Sequence, residues 1–424
     1  MQHLGVLGKH VYLIGIKGAG MAGLAQILKG LGFVIEGSDI QDTFFTDDIL
    51  KKARIPFRQG FNAAHVPNNI DWAVSSSAYL GEGINSEVDE LKKRGIPMLS
   101  YPEALAYFFN QAYGIAVTGT HGKSTTAAMI AYILEQAGKN PFALIGGELL
   151  NWNSNARVPR KANKLMKLTP KSYFVIEADE YREQFLHYRP AVIAITNVDY
   201  DHSDYFATKE SYKNAFKKFK KNIKPHGIVL ENYKLQTKNY KLKIIGEHNQ
   251  QNAALAYEVC RRLGIGDKAI REALKTFQGL RRRLERVGEY RGATIIDDYA
   301  HHPVEITASL WALRDTFKNK KLIVLFHPHT YSRTKTFLKE FAKALRLADE
   351  IYLLDVYGSA REKGGEVGSD SIVEEIETLG QGAINLHTIK NAVQYFGAHL
   401  KKGDILITMG AGDVFRVAEK LGKL

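Results

Sequence analysis

Apolar residues come in short, nearly unbroken runs along this chain, and most runs end on a glycine, an acidic residue or a histidine. Between them lie longer stretches whose apolar positions recur at helical spacing. Strands buried on both faces read this way, so the alternation predicts helices packed on mostly parallel sheets. The first set is His10 to Ile16, Phe33 to Gly37, Trp72 to Ser77 and Ile96 to Leu99, with helices up to about Leu31 and over Asn85 to Arg94, closing near Asn110-Gln111. A second set is Tyr113 to Val117, Tyr173 to Ile176 and Ala191 to Thr196, with an amphipathic helix over Ala127 to Ala137 and a polar, basic loop over Asn151 to Lys171. The third is Ala293 to Ile296, Leu322 to Phe326, Glu350 to Leu354 and Ile405 to Thr408. The expected fold is therefore α/β with three domains: a Rossmann-like domain over 1–111, a central domain with a mostly parallel sheet over 112–279, and a C-terminal Rossmann-like domain over 280–424.

The strongest chemical signal lies where the second set begins. Gly119-Thr120-His121-Gly122-Lys123-Ser124-Thr125-Thr126 sits between a strand and a helix, so glycines bend the backbone around an anion while helix N–H groups point at it. Lys123 adds a compact positive charge for phosphates, and Ser124 a hydroxyl for Mg²⁺. The loop is shorter than the usual phosphate loop, whose first glycine would fall at Val117. An ordinary helix start is the weaker reading.

Other motifs gain meaning beside it. Gly15-Ile16-Lys17-Gly18-Ala19-Gly20-Met21, with Ser38-Asp39 at the end of the next strand, fits either a nucleotide-binding turn or a tight turn without a ligand. Glu177-Ala178-Asp179-Glu180 and Asp201-His202 follow two strands of the central set, where open α/β sheets collect ligands; the alternative is solvated loop charge. His248 and Asn252, four apart, share a helix face, as ordinary capping residues also would.

Composition narrows the class. The 424 residues are 45% hydrophobic and 24% charged, as in a globular enzyme, and exceed one ordinary core. The formal charge of +13 suits either a nucleic-acid binder or a solvated surface that attracts anionic substrates. In the densest run, Lys217-Lys218-Phe219-Lys220-Lys221, the spacing of Phe216, Phe219 and Ile223 turns the lysines outward, which favours the surface. Cys260 is the only cysteine; it excludes internal disulfides and reads as a small core residue. With no membrane-length apolar run and no leader-like N-terminus, a cytoplasmic enzyme is expected.

Taken in order, these motifs resemble the Mur ligases, the ATP-dependent amide-forming enzymes of peptidoglycan synthesis. The resemblance also takes in Gly246-Glu247-His248-Asn249, Asp297-Asp298-Tyr299-Ala300-His301-His302-Pro303 and Pro328-His329-Thr330-Tyr331-Ser332-Arg333-Thr334, and so covers nearly the whole chain. It is closest to members that join L-alanine to UDP-N-acetylmuramate through an acyl phosphate. The resemblance implies a UDP-sugar site at Gly15, Gly18, Ala19, Gly20, Met21, Ser38, Asp39 and Ser76. It implies ATP at Gly119, Thr120, His121, Gly122, Lys123, Ser124, Thr125, His248 and Asn252, with Asp297 or Asp298 near the ribose. Two Mg²⁺ ions, or Mn²⁺ in their place, are implied at Ser124, Glu177 and His202. Tyr299, His301 and Arg333 are implied at the amino acid and the reacting centre. The expected catalytic set is Lys123, Glu177, His202, His301 and Arg333, in a monomer or homodimer needing neither nucleic acid nor membrane.

Two residues depart from the pattern. Lys17 replaces a usual glycine, either as an added phosphate contact or as a lysine at the loop edge. Thr330 replaces a usual arginine, for which Arg333 or one of Arg281, Arg282 and Arg283 compensates, unless the substrate differs. A ligase that attaches a whole tripeptide to the same sugar nucleotide is the near alternative, and a phosphate-loop NTPase acting on nucleic acid the distant one.

Overall fold

Strand β1 (His10–Ile14) carries four buried residues in succession, so it has to lie inside a sheet covered on both faces. Its neighbours are β2 (Val34–Asp39), β3 (Phe57–Gln59), β4 (Trp72–Ser75) and β5 (Met98–Ser100), all parallel, in the order β3-β2-β1-β4-β5. The chain order reverses between β1 and β4, and an open sheet of this kind leaves a ligand crevice at that point. The glycine turn after Ile14 opens there, and Ser76 N–H donates to the Ile14 carbonyl at 2.9 Å. The computed structural model describes residues 8–42, 44–81, 83–159, 168–202, 205–231, 240–358, 362 and 364–422.

The second sheet contains β6 (Tyr113–Thr118), β7 (Phe142–Leu149), β8 (Ser154–Arg157), β9 (Tyr173–Glu177), β10 (Val192–Ile195) and β11 (Ile228–Glu231), ordered β11-β10-β6-β9-β7-β8. Only β8 runs antiparallel, pairing Ala143 with Arg157 and Leu149 with Ser154. The loop expected over 151–171 is thus partly a strand. Its polar residues are used in contacts: Asn155 Nδ2 donates to the Ala19 carbonyl at 2.6 Å and Ser154 Oγ to Gln26 Oε1 at 2.8 Å. Residues 160–167 of that loop lie outside the described ones.

The helix Lys123–Gln136 corrects another expectation. Every residue from Ser124 to Leu134 is buried, so the helix has no solvent face. It packs on β6, β7 and β9 on one side and on the helix Asp267–Thr276 on the other. Ala127 to Leu134 is apolar on every side of the helix, as a helix covered all round requires. Helix Lys209–Lys221 behaves as its spacing predicted: Tyr212, Ala215, Phe216 and Phe219 are buried, and Lys217 and Lys218 are exposed. Cys260 is fully buried.

A third sheet contains β12 (Glu285–Tyr290), β13 (Ala293–Asp298), β14 (Leu322–Phe326), β15 (Glu350–Leu353), β16 (Ala383–Asn385) and β17 (Ile405–Met409), ordered β12-β13-β17-β14-β15-β16. The edge strand β12 is antiparallel and the remainder parallel. By packing, the chain divides into two compact units, Met1–Leu242 with Gln251–Gln278, and Lys243–Gln250 with Gly279–Leu424. The first unit holds the first two sheets; one buried apolar cluster from Val11 to Phe219 draws on both, and Tyr12, Ile14 and Ala73 of the first belong to another, with Val88. No helix among the described residues is long and apolar enough to cross a membrane.

Candidate active site

In the first unit, the loop after β6 is held from behind by the end of β10. Asn197 Oδ1 accepts from His121 N–H at 2.9 Å, and the His121 carbonyl accepts from Thr196 Oγ1 at 2.5 Å and Asn197 Nδ2 at 3.1 Å. Thr120 Oγ1 donates to the Asp199 carbonyl at 2.6 Å. Two glycines make this approach feasible. A Cβ on Gly119, at φ +129°, would stand 2.2 Å from Thr196 Oγ1, and one on Gly122, at φ +79°, 2.3 Å from Asn252 Oδ1. The same Asn252 oxygen accepts from Thr126 Oγ1 at 3.2 Å, so Asn252 borders the helix start.

Lys123 is folded back onto its own loop. Its Nζ donates to the carbonyls of Gly119 at 2.6 Å and Thr120 at 3.1 Å, and lies 3.1 Å from Glu180 Oε2. Burial would lower the Lys123 pKa, but Glu180, Asp179 and Glu177 outweigh it and hold the ammonium's pKa above the usual value. Glu180 is buried too, yet the Lys123 charge and His202 keep its carboxyl below the usual range. Ser124 and Thr125 follow in the first helical turn, both buried.

The ends of β9 and β10 converge beside that pair. Ligand atoms of Asp179, Glu180 and His202 lie within 4.8 Å of one another, and His202 sits at φ +56°, a strained backbone region that clusters at functional sites. Burial lowers the His202 pKa, but Glu180 and Asp201 raise it overall. Asp179 moves the other way, pushed up by burial and by Glu180. Glu177 is not in this group. Its Oε2 accepts from Gly146 N–H at 2.9 Å, so the carboxylate set beside His202 is Glu180. Sequence reasoning missed Thr196, Asn197 and Asp199 as supports of the loop; their one signal is a polar run just after a buried strand.

At the glycine turn of the first sheet, Gly15 has φ +80°, and Gly15 and Ile16 both donate to the Ser38 carbonyl. The Ser38 hydroxyl donates to the fully buried Glu87, so the side chain faces the interior. Met21 likewise belongs to the core, and Gly18 and Ala19 begin the helix Ala19–Gly30. Gly20 lies against Tyr101, whose hydroxyl would be 2.6 Å from an added Cβ. Asp39 accepts from the N–H groups of Lys17 at 2.6 Å and Ile40 at 2.8 Å; burial raises its pKa against them.

The second unit gathers a separate cluster. Asp297 at the end of β13 pairs with Arg282 Nε at 3.0 Å and accepts from Thr408 Oγ1 at 2.5 Å. Asp298 accepts from Ser309 Oγ at 2.6 Å and Ala300 N–H at 3.0 Å, and burial pushes its pKa up to about 6. His301 Nδ1 lies 3.1 Å from the Tyr299 carbonyl, which can only accept; Nδ1 therefore carries the hydrogen and Nε2 the lone pair. Arg333 Nη1 reaches His329 Nδ1 at 3.3 Å, and the His301 and His329 rings are 6.3 Å apart. Tyr299, His301 and Arg333 thus share one neighbourhood, with His329 joining them. Burial, with His301 and Arg333 nearby, lowers the His329 pKa to about 4. His248, also in this unit, is brought to about 4 by burial and Arg283.

Three family patterns match in this same order: the Mur ligase family catalytic domain over 10–113, the Mur ligase middle domain over 117–238, and the Mur ligase glutamate ligase domain over 282–412. The chain belongs to the Mur ligase family. A protein of Desulfitobacterium hafniense named UDP-N-acetylmuramate–L-alanine ligase is 33% identical, over 97% of this chain and 99% of its own. One of the same name from Carboxydothermus hydrogenoformans is 35% identical, over 97% and 96%. The fold matches the crystal structure of UDP-N-acetylmuramate-alanine ligase from Thermotoga maritima at TM-score 0.80, with 24% identity and 98% of each chain covered. It also matches a murein peptide ligase of Psychrobacter arcticus at TM-score 0.70 and 23% identity, again over 98% of each.

The two departures of this Mur ligase now have surroundings. Lys17 is neither at the loop edge nor turned outward; its side chain is fully buried and its ammonium is bound by carbonyls of residues 40 and 42. Thr330 stands at φ +66° and starts the short helix Tyr331–Thr336. Among the neighbouring arginines, Arg282 is committed to Asp297 and to the Gly410 carbonyl at 2.6 Å.

Proposed function

We propose that this Mur ligase joins L-alanine to the lactyl carboxylate of UDP-N-acetylmuramate, converting ATP to ADP and phosphate. The full-length similarity to proteins of that name carries the reading, since 33% to 35% identity over 97% of the chain spans all three sheets. Lys123 at the head of a glycine loop agrees with it. In the first step a lactyl carboxylate oxygen bonds to the γ-phosphorus and ADP leaves, giving an acyl phosphate. The alanine amine, having lost a proton, then attacks the carbonyl, and the tetrahedral adduct expels phosphate.

The residues have matching roles. Loop N–H groups over 119–124 would hold the phosphates, and the Lys123 ammonium would move from Glu180 to the charge developing on the transferred group. Asp179, Glu180 and His202 offer a donor set rich in oxygen that suits Mg²⁺, to which Ser124 would add its hydroxyl; Mn²⁺ would fit the imidazole as well. Bound there, the metal would neutralise phosphate charge. We assign two ions, with Glu177 joining His202 once ligand is present. Asn252 and His248 go with adenine, and Asp297 or Asp298 with the ribose. The turn at Gly15 to Met21, with Asp39 and Ser76, goes with UDP, and Ser38 serves that site from behind, its carbonyl holding the N–H groups of Gly15 and Ile16. Tyr299, His301 and Arg333 go with the amino acid, in domains spanning 1–111, 112–279 and 280–424. A cytoplasmic monomer or homodimer completes the proposal.

The test is phosphate release with ATP, Mg²⁺, UDP-N-acetylmuramate and a panel of amino acids. Release that requires both the sugar nucleotide and alanine is expected. Preference for a tripeptide would move the assignment to the recycling type, and stimulation by nucleic acid alone would overturn it. Serine and glycine belong in the panel because one methyl group is worth only about 1–3 kcal/mol of discrimination.

A further inference from the structure

We infer that Lys17 is a positioning residue of the UDP-sugar site, one that sets the glycine turn and Asp39 in place without touching the ligand. The inference rests on the function proposed above. The Lys17 side chain has no exposed surface, and its three ammonium hydrogens have three neighbours: the carbonyls of Ile40 and Asp42, both at 2.8 Å, and Asp47 Oδ2 at 3.6 Å. The rings of Phe44 and Phe57 flank it at 5.8 Å and 5.5 Å. Its main chain is tied as well. Lys17 N–H donates to Asp39 at 2.6 Å, and the Lys17 carbonyl accepts from the Thr46 hydroxyl.

These ties fix the start of one segment to the start of another. Lys17 lies within the turn after β1, and residues 40 to 47 follow β2, with Asp39 between them. A buried ammonium stripped of its partners is costly, so the second segment cannot swing away without unpairing it. A glycine at position 17 would keep the backbone turn and lose every side-chain tie. A site held in its binding geometry loses less entropy when the ligand arrives.

The test uses the full-length protein and Lys17→Met, which keeps the length and removes the charge. The KM for UDP-N-acetylmuramate should rise about tenfold, with kcat and the ATP KM unchanged. UMP and UDP should both weaken by that same factor in calorimetry, and amides over 44–50 should exchange faster. An unchanged KM overturns the inference, as does a loss confined to UDP, which would mean a direct phosphate contact. If Lys17→Met fails to fold, Thr46→Val cuts the opposite tie and leaves the charge; it should give the same pattern, and a normal KM there also overturns it. Wild-type protein that binds no uridine nucleotide would sink the proposed function instead, and the exchange rates would still decide whether Lys17 holds the segment.

Discussion

Lys123 Nζ lies 3.1 Å from Glu180 Oε2, and the glutamate side chain has no exposed surface. The carboxylate therefore holds the cation at the mouth of a phosphate loop, as a phosphoryl oxygen would. Removing either partner leaves the other charge buried and alone, which costs about 3–5 kcal/mol. The pair also predicts a stability window. Glu180 is depressed, so its contribution is present above the ordinary carboxylate pKa and is lost as pH falls through its folded value. Lys123 is raised, so its contribution is present below the ordinary lysine pKa and is lost as pH rises through its folded value.

Lys123→Ala should abolish ligation while leaving a folded protein. A charge contact made mainly in the transition state is worth about 3 kcal/mol or more, roughly a hundredfold in rate. Phosphate release measured beside a circular dichroism spectrum checks this. Near-normal turnover would mean the reacting phosphate lies elsewhere.

Asp298 should give the second unit an unusual response to acid. Its folded pKa of about 6 exceeds the ordinary 3.8, so between those values the folded state holds more proton. Stability at this group is therefore greatest at low pH and falls as pH rises from 4 to 6, opposite to a depressed carboxylate. Asp298→Asn keeps an acceptor for Ala300 N–H and can donate to Ser309. Relative to the parent, the variant should gain up to about 3 kcal/mol between pH 4 and pH 7 in urea titrations. A difference independent of pH would show that Asp298 is not held protonated.

His329 should act on the amino acid through Arg333. His329→Leu removes the acceptor 3.3 Å from Arg333 Nη1, and a hydrogen bond to a charged group is worth about 1.5–3 kcal/mol. A rise of about tenfold in alanine KM is expected, with ATP KM unchanged and recovery in His329→Gln, which restores an acceptor. Equal damage to both substrates, or no recovery, would reduce the residue to packing.

The sheets were legible because strands covered on both faces have to be apolar throughout, and Val11–Ile14, Val192–Ile195 and Leu322–Phe326 are. The loop at Gly119 was legible because its glycines and lysine have few other uses after a strand. What stayed hidden depends on who packs against whom. Lys17 looks like a surface charge until the segment after β2 folds over it, and Ser38 looks like a ligand contact until Glu87 arrives from a distant helix. The helix after the loop has no polar face over Ala127 to Leu134, and a second helix covers its far side. Glu177 ends β9 and Glu180 follows it, and nothing in their spacing tells which one meets Lys123.

Thr330 carries strain that a substitution should release. A β-branched residue at φ +66° is a true outlier, and such backbone costs about 1–3 kcal/mol. It is held there from both sides: its N–H donates to the Tyr357 carbonyl at 3.0 Å, and its own carbonyl accepts from Thr334 Oγ1 at 2.8 Å. Glycine adopts this conformation freely and keeps both bonds. Thr330→Gly should therefore raise stability by about 1 kcal/mol, after allowing for the greater entropy of glycine in the unfolded chain. Thr330→Arg should leave the turn and the melting temperature as they are while changing the alanine KM. If glycine melts lower than threonine, the left-handed turn is not where the chain stores energy, and the hydroxyl must be making a contact that outweighs it.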